Sequence, residues 1–338
     1  MSKNPYTDNS FQSSDLKTIL HSKRANIYYL QYCRVMQKDG RVLYLTESEK
    51  ENLYYNIPIA NTTCILLGTG TSITQATMRM LAQAGVLVGF CGGGGTPLFM
   101  GTEQEIAVEW FTPQSEYRPT EYIQGWLSWW WDDGKRLQMA KKLQLARVDF
   151  LDYVWKKDKE FKAMGFNSQA DGIANLLKNY REQIPKQTET MHLLQLEARM
   201  TKELYKIAAI NTHNTGFNRE HDGIDKANGF LNHGNYLAYG LGATTAWVLG
   251  IPHGFAVMHG KTRRGALVFD IADIVKDAIV LPLAFICASE NTTEQEFRQE
   301  CLNYFTTYHA LDVMFDTVKE MALTTDWNKD SGKGANKE

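Results

Sequence analysis

The feature that most restricts this fold is a change of hydrophobic period at residues 112–120, TPQSEYRPT. Before it, apolar residues come in short, aromatic and β-branched runs broken by Gly, Pro and Asp-Gly, as strands and hairpins require. After it, they recur every three or four residues over long stretches, as amphipathic helices require. A polar segment with two prolines marks the boundary. The expectation is an α+β chain, with a small β-sheet N-terminal domain followed by a larger all-α domain. The division predicted is 1–12 disordered, 13–110 β-rich, 111–120 linker, 121–325 helical and 326–338 a disordered tail.

Within the first part, residues 26–34 (NIYYLQYCR) read as extended, Asp39-Gly40 as a hairpin turn, and residues 41–45 as the returning strand. Pro58 suits an edge strand or a strand end. Residues 64–90 follow the order strand, Gly68-x-Gly70, helix, strand, which invites a dinucleotide-binding reading. The fit is poor: Ile73 occupies the third glycine position, and no acidic residue ends the next strand. The plainer account is a tight turn, a helix capped by Thr71 or Ser72, and a glycine turn at residues 92–95.

Composition narrows the functional classes. A net charge of −2 removes any overall basic signature, so a nucleic-acid interface would have to be a local patch. The five cysteines (Cys33, Cys64, Cys91, Cys287, Cys301) are scattered and form no C-x-x-C pair. Free thiols in a reducing, cytoplasmic setting are expected. No signal-like h-region and no run of 18 apolar residues suggest secretion or a membrane span.

In the helical part, Trp126, Trp129 and Trp130 at i, i+3 and i+4 read as core. Lys135, Arg136, Lys141, Lys142 and Arg147 read as a solvated face or as a track for phosphates. Leu193, Leu196, Met200, Leu204 and Ile207 make the stripe of a further helix, and Glu197 falls inside that stripe. A carboxylate there is costly unless paired with Arg or Lys, protonated or bound to metal. His213, His221 and His253 read as loop or surface residues.

Residues 254–282 (GFAVMHGKTRRGALVFDIADIVKDAIVLP) concentrate the chemistry. His259 precedes the basic loop of Lys261, Arg263 and Arg264, and Asp270, Asp273 and Asp277 then share one helical arc at i, i+3 and i+7. Two carboxylates at 4 Å repel by about 1–4 kcal/mol, a cost that a divalent cation removes and that an imidazole ligand complements. The alternative is a solvated acidic face after an ordinary loop. Glu197, His259 and Asp273, with Asp270 adjacent, form a nitrogen and oxygen donor set suited to Mg2+ or Mn2+ rather than structural zinc. Lys261, Arg263 and Arg264 are candidate DNA-binding residues, as phosphate clamps. Three functions stay open on these residues: a metal-dependent nuclease and strand-transfer enzyme, a DNA-binding scaffold whose acidic cluster is structural, and a nicotinamide enzyme built on Gly68-x-Gly70.

The segments LKTILHSKRANIYYLQYCRV, NIPIANTTCILLGTGTSITQA, GVLVGFCGGGGTPLF, TPQSEYRPTEY, GNYLAYG and HGKTRRGALVFDIADIVKD resemble the CRISPR-associated spacer integrase and endonuclease family, Cas-one (Cas1), in its I-F subtype. The resemblance spans nearly the whole chain. It implies a β-sheet dimerisation domain and a helical catalytic domain, with Glu197, His259 and Asp273 as metal ligands and Asp270 as a further catalytic acid. It also implies a homodimer acting on double-stranded DNA, both protospacer and CRISPR repeat. Assembly with a Cas-two domain fused to the Cas-three helicase-nuclease is implied as well. The implied reaction is attack by protospacer 3′-hydroxyls on phosphodiesters at the repeat ends, that is, spacer acquisition by transesterification.

Overall fold

A computed structural model describes residues 24, 26–47, 52–90, 109–111, 119–169, 172–214, 216–220, 223, 225–260, 265–290 and 292–325. Two compact units divide the chain, one of residues 1–94 and 106–116 and one of residues 95–105 and 117–338. Most of the expected linker, both expected disordered termini, the glycines at 92–95, Cys91 and His221 lie outside the described residues.

Among the described residues, the first unit holds two four-stranded sheets. In one, β1 (Asn26–Leu30), β5 (Thr62–Leu67), β7 (Leu87–Phe90) and β8 (Glu109–Phe111) lie side by side in that order. The β1–β5 and β5–β7 pairs are parallel and β7–β8 is antiparallel. The other sheet runs β4 (Asn52–Ile57), β3 (Arg41–Glu47), β2 (Arg34–Lys38), β6 (Ser72–Ile73). Asp39 and Gly40 both take positive φ, 51° and 71°, so the β2–β3 hairpin closes through the two-residue mirror-image turn that an Asp-Gly pair favours. The extended run at residues 26–34 is not one strand. Tyr32 turns the chain with φ 48°, and the two halves enter different sheets. β4 is an edge strand that stops one residue before Pro58, as the missing proline donor demands.

Between the parallel β5 and β7 runs α1 (Gln75–Gln83). Its cap is Thr74, whose side chain accepts from the Thr77 amide at 3.3 Å, rather than Thr71 or Ser72. Thr71 instead donates to the Gly68 carbonyl and Ser72 is drawn into β6. All six residues of β5 are buried, the continuous apolar pattern of a strand covered on both faces. Val35, Val42, Ile57, Ile65, Leu67, Leu81 and Val88 form the centre of this unit's core.

The second unit consists of α2 (Glu121–Trp130), α3 (Asp133–Lys157), α4 (Glu160–Ala163), α5 (Ile173–Gln183), α6 (Thr190–Asn211), α7 (Lys226–Val248), α8 (Ala266–Glu290), α9 (Glu294–Thr307) and α10 (Ala310–Ala322). The helix α8 is the axis, packed by α3, α6, α7, α9 and α10. Every residue from Ala266 to Cys287 is buried except Lys276, which is half-buried. A helix apolar all round belongs inside a bundle. The alternative of a solvated acidic face on this helix is therefore excluded: Asp270, Asp273 and Asp277 are only 2%, 2% and 4% exposed. α7 approaches α8 closely because Gly242 carries no side chain, since a Cβ there would stand 2.7 Å from the Val268 carbonyl. α7 closes with Gly250 at φ 70° followed by Pro252, the stop signal its sequence carries. Among the described residues no helix is long and apolar enough to cross a membrane.

Candidate active site

Three buried carboxylates on one helix demand partners, and each finds a different one. Asp270 faces the loop between α7 and α8. One of its oxygens accepts from the Val257 and Met258 amides at 2.7 and 3.1 Å. The other accepts from the His259 amide at 3.1 Å and lies 2.6 Å from His259 Nδ1. With both oxygens accepting, Nδ1 carries a ring proton, and in the neutral form of the ring it is Nε2 that keeps the lone pair. That Nε2 points toward Asp273 Oδ2, 3.8 Å away. Burial opposes protonation of the ring. The bond from Asp270 and the charges of Asp273 and Asp270 outweigh it and hold His259 above the usual histidine value.

Asp273 is buried with neither oxygen meeting hydrogen-bond geometry, although the Lys276 ammonium, one turn on, forms an ion pair with Oδ1. Burial pushes its carboxyl up, and the charges of Lys276, His259 and Arg147 pull it further down, below the ordinary aspartate value.

Asp277 pairs with Arg147 of α3, whose Nε lies 2.6 Å from Oδ2. The same guanidinium donates Nη1 to Glu197 Oε1 at 2.7 Å and Nη2 to Thr201 at 2.7 Å. Thr201 also donates to Glu197 Oε1 at 3.1 Å. Glu197 is held below the usual glutamate value: burial raises it, Arg147 lowers it, Asp273 raises it and Lys276 lowers it. One arginine thus ties α3, α6 and α8 together. Arg147 and Asp277 are buried and Glu197 is half-buried, so each depends on the others for a charged partner.

Two sequence expectations are corrected here. Asp277, left to the solvated face once the resemblance assigns only Asp270 and Asp273 to the site, is buried, and Arg147, 1% exposed, neither lies on a solvated face nor tracks phosphates. Its signal was available: Leu143, Arg147 and Leu151 recur at i, i+4 and i+8, so Arg147 sits inside an apolar stripe as Glu197 does. Lys276 had only a weaker signal, its three-residue spacing from Asp273. Arg136 is also engaged within the fold, donating to the Trp130 carbonyl at 3.0 Å. The three tryptophans are core, as expected. Lys261, Arg263 and Arg264 lie outside the described residues.

His259, Asp270 and Asp273 therefore come together, while Glu197 joins the same charge cluster through Arg147. Among the described residues no three His, Cys, Asp or Glu side chains converge closely enough to hold a metal ion as they stand. The donor chemistry nonetheless fits a divalent cation. Asp273 Oδ2, buried and without a hydrogen-bond donor, lies 3.8 Å from a histidine nitrogen whose ring partner is already oriented. Both hydrogen bonds of Glu197 fall on Oε1.

The Gly68-x-Gly70 turn has a different explanation from phosphate binding. A Cβ on Gly68 would stand 2.5 Å from the Tyr29 hydroxyl, and one on Gly70 would stand 2.6 Å from the Tyr32 ring. The close approach these glycines permit is already taken by tyrosines.

A model of the family described as CRISPR associated protein Cas1 matches residues 27–318. A CRISPR-associated endonuclease Cas1 of Pectobacterium atrosepticum is 54% identical over 317 residues, 93% of this chain and 97% of that protein. A CRISPR-associated endonuclease Cas1 of Pseudomonas aeruginosa is 55% identical over 311 residues, 91% of this chain and 96% of that protein. Among solved structures, a TtCas1–DNA complex superposes with a TM-score of 0.63 at 17% identity, covering 90% of this chain and 94% of that one, a likeness of fold.

Proposed function

The chain belongs to the CRISPR-associated Cas1 family, and from that premise we propose that it is a divalent-metal-dependent DNA endonuclease and integrase of the I-F subtype, acting in spacer acquisition. The observation that carries the reading is the approach of His259 Nε2 to the buried Oδ2 of Asp273, the carboxylate oxygen that Lys276 does not take. His259, Asp273 and Glu197 would hold Mg2+ or Mn2+, and Asp270 keeps the histidine in the ligating tautomer. A divalent ion bound there supplies Lewis acidity to a phosphodiester and to the attacking hydroxyl.

The reaction proposed is exchange of one ester for another. A protospacer 3′-hydroxyl oxygen bonds to phosphorus at the repeat boundary, the existing P–O bond breaks, and the leaving strand departs as a 3′-hydroxyl. One bond is made and one broken, so no nucleoside triphosphate is consumed. Water in place of the hydroxyl gives hydrolysis. The protein's own task is to align two DNA segments and to hold charge still while they react. Double-stranded DNA is the substrate in this reading, with Lys261, Arg263 and Arg264 gripping phosphates. Homodimerisation through the β unit and assembly with a Cas-two domain fused to Cas-three complete it.

Labelled duplex with free 3′-hydroxyls should become joined to repeat DNA only when Mn2+ or Mg2+ is present, and His259→Ala should lower that rate by about 100-fold or more. Joining at the parental rate by His259→Ala would remove the assignment. The ion pairs that Arg147 makes with Glu197 and Asp277, and Lys276 with Asp273, favour a second reading, a DNA-binding scaffold with a structural acidic core. DNA binding without strand transfer in any divalent ion would select it.

A further inference from the structure

The histidine of the candidate site lies on a loop, residues 253–260, with no strand or helix to align it. A loop places a side chain accurately only where its main chain is tied down by something rigid. Three side chains tie this one. Asp270 takes the amides of Val257, Met258 and His259, as described above. The carbonyls on the other flank are held by α2: Trp126 Nε1 donates to the Phe255 oxygen at 3.1 Å, and Trp130 Nε1 to the Ala256 oxygen at 2.7 Å. The Trp130 ring also meets the Phe255 ring edge-on, 4.9 Å between centroids. Arg136 in turn holds the Trp130 carbonyl and lies over its ring. The Gln144 amide of α3 reaches the Met258 sulfur at 3.5 Å.

Buried indoles need acceptors, and that alone would explain one such bond. Two indoles one turn apart on the same helix, binding consecutive carbonyls of a single loop, make a latch. We infer that Trp126 and Trp130 are positioning residues for His259, holding the histidine loop in register with Asp273 from the side that Asp270 does not reach. The inference rests on His259 belonging to the proposed metal site. It gives the tryptophan cluster of α2, which the sequence marks only as core, a part in the site's geometry.

Trp129 supplies the control. It lies on the same helix, is equally buried, and donates its indole N–H to the Met321 carbonyl at 3.1 Å, away from the loop. Replacing each tryptophan by phenylalanine in the full-length protein removes one N–H donor and keeps an aromatic ring. For Trp130→Phe, amide exchange at Val257, Met258 and His259 should accelerate, and Mn2+ binding measured by calorimetry should weaken about three- to tenfold, the worth of one or two neutral hydrogen bonds. Trp126→Phe should act in the same direction. Trp129→Phe should lower the melting temperature comparably and leave both readouts unchanged. In a His259→Ala background, Trp130→Phe should weaken Mn2+ binding no further. Equal effects from Trp129→Phe and Trp130→Phe, or unchanged exchange at residues 257–259, would overturn the latch. A parental protein that binds no Mn2+ would overturn the metal reading instead, and the latch would then stand or fall on the exchange data.

Discussion

The β unit and the helical unit each contain a segment that looks like a binding site in sequence, and they resolve in opposite ways. In the β unit, Gly68-x-Gly70 stands between parallel β5 and the start of α1, the right order for a phosphate loop. Its special residues are used up locally: Tyr29 and Tyr32 fill the space that the glycines leave. In the helical unit, the acidic arc of α8 reads as a divalent-cation site or as a solvated face, and it is buried, with partners up to 130 positions away in the chain. A glycine motif reports a backbone shape. A buried charge with incomplete bonding reports a demand that something else must meet.

The comparison breaks most sharply at Arg147. Arg147→Met should cost about 3–5 kcal/mol in denaturant unfolding, because the buried Asp277 and the half-buried Glu197 would be left without their shared cation. A loss below about 1 kcal/mol would mean that the cluster is solvated after all. On the β side, Gly68→Ala should cost about 1–3 kcal/mol by pressing a methyl group against the Tyr29 hydroxyl. Strand-transfer rate per folded molecule should not change. A loss of activity at full folding would move function toward the glycine turn.

Lys276→Met sharpens the comparison within the helical unit. It removes the ammonium from Asp273, so the metal-free protein should melt at a lower temperature while Mn2+ binds about tenfold more tightly. Weaker Mn2+ binding in calorimetry would show that the lysine supports the metal rather than substituting for it.

The smallest effect is on pH. His259 is held above its ordinary value, so its contribution to stability is complete below the unfolded histidine pKa of about 6.5 and is lost as pH rises through the folded value. The stability difference between the parent and His259→Gln should therefore shrink from pH 5 toward pH 8. Glu197 and Asp273 act oppositely: their depressed values contribute stability above the unfolded carboxylate range that is lost as pH falls through them. The shifted groups described in the β unit are Arg24, Tyr28, Cys33 and Tyr44, each with an ordinary value above neutrality. A flat difference between parent and His259→Gln would detach the histidine from Asp270 and Asp273.

Much of the architecture was legible because period and punctuation are local properties. The Asp39-Gly40 hairpin, the stop at Pro58, the helix ending at Gly250 and Pro252, and the buried tryptophans of α2 all follow from residues within a few positions of one another. The break at Tyr32 was missed because a tyrosine at positive φ has no sequence signature. Thr74 was missed as the cap because β6 draws Ser72 into the other sheet and postpones the helix. Glu197 could be singled out because a carboxylate among Leu193, Leu196 and Met200 contradicts its own helix. Arg147 carried the same contradiction, but its neighbouring lysines and arginines disguised it as surface.

The sequence by itself thus determined the change from strands to helices, the apolar stripe of α6 and the one residue, Glu197, that violates it, since those depend on spacing along one chain. Its family resemblance named Glu197, His259, Asp270 and Asp273. Only the tertiary structure decided how these residues are partnered. Whether Asp270 holds a loop, Asp273 faces a histidine and Asp277 meets an arginine depends on which helix packs beside each turn of α8. Charges a few ångströms apart interact by several kcal/mol in a site without water, and that energy is set by distance in space, on which spacing in sequence is silent.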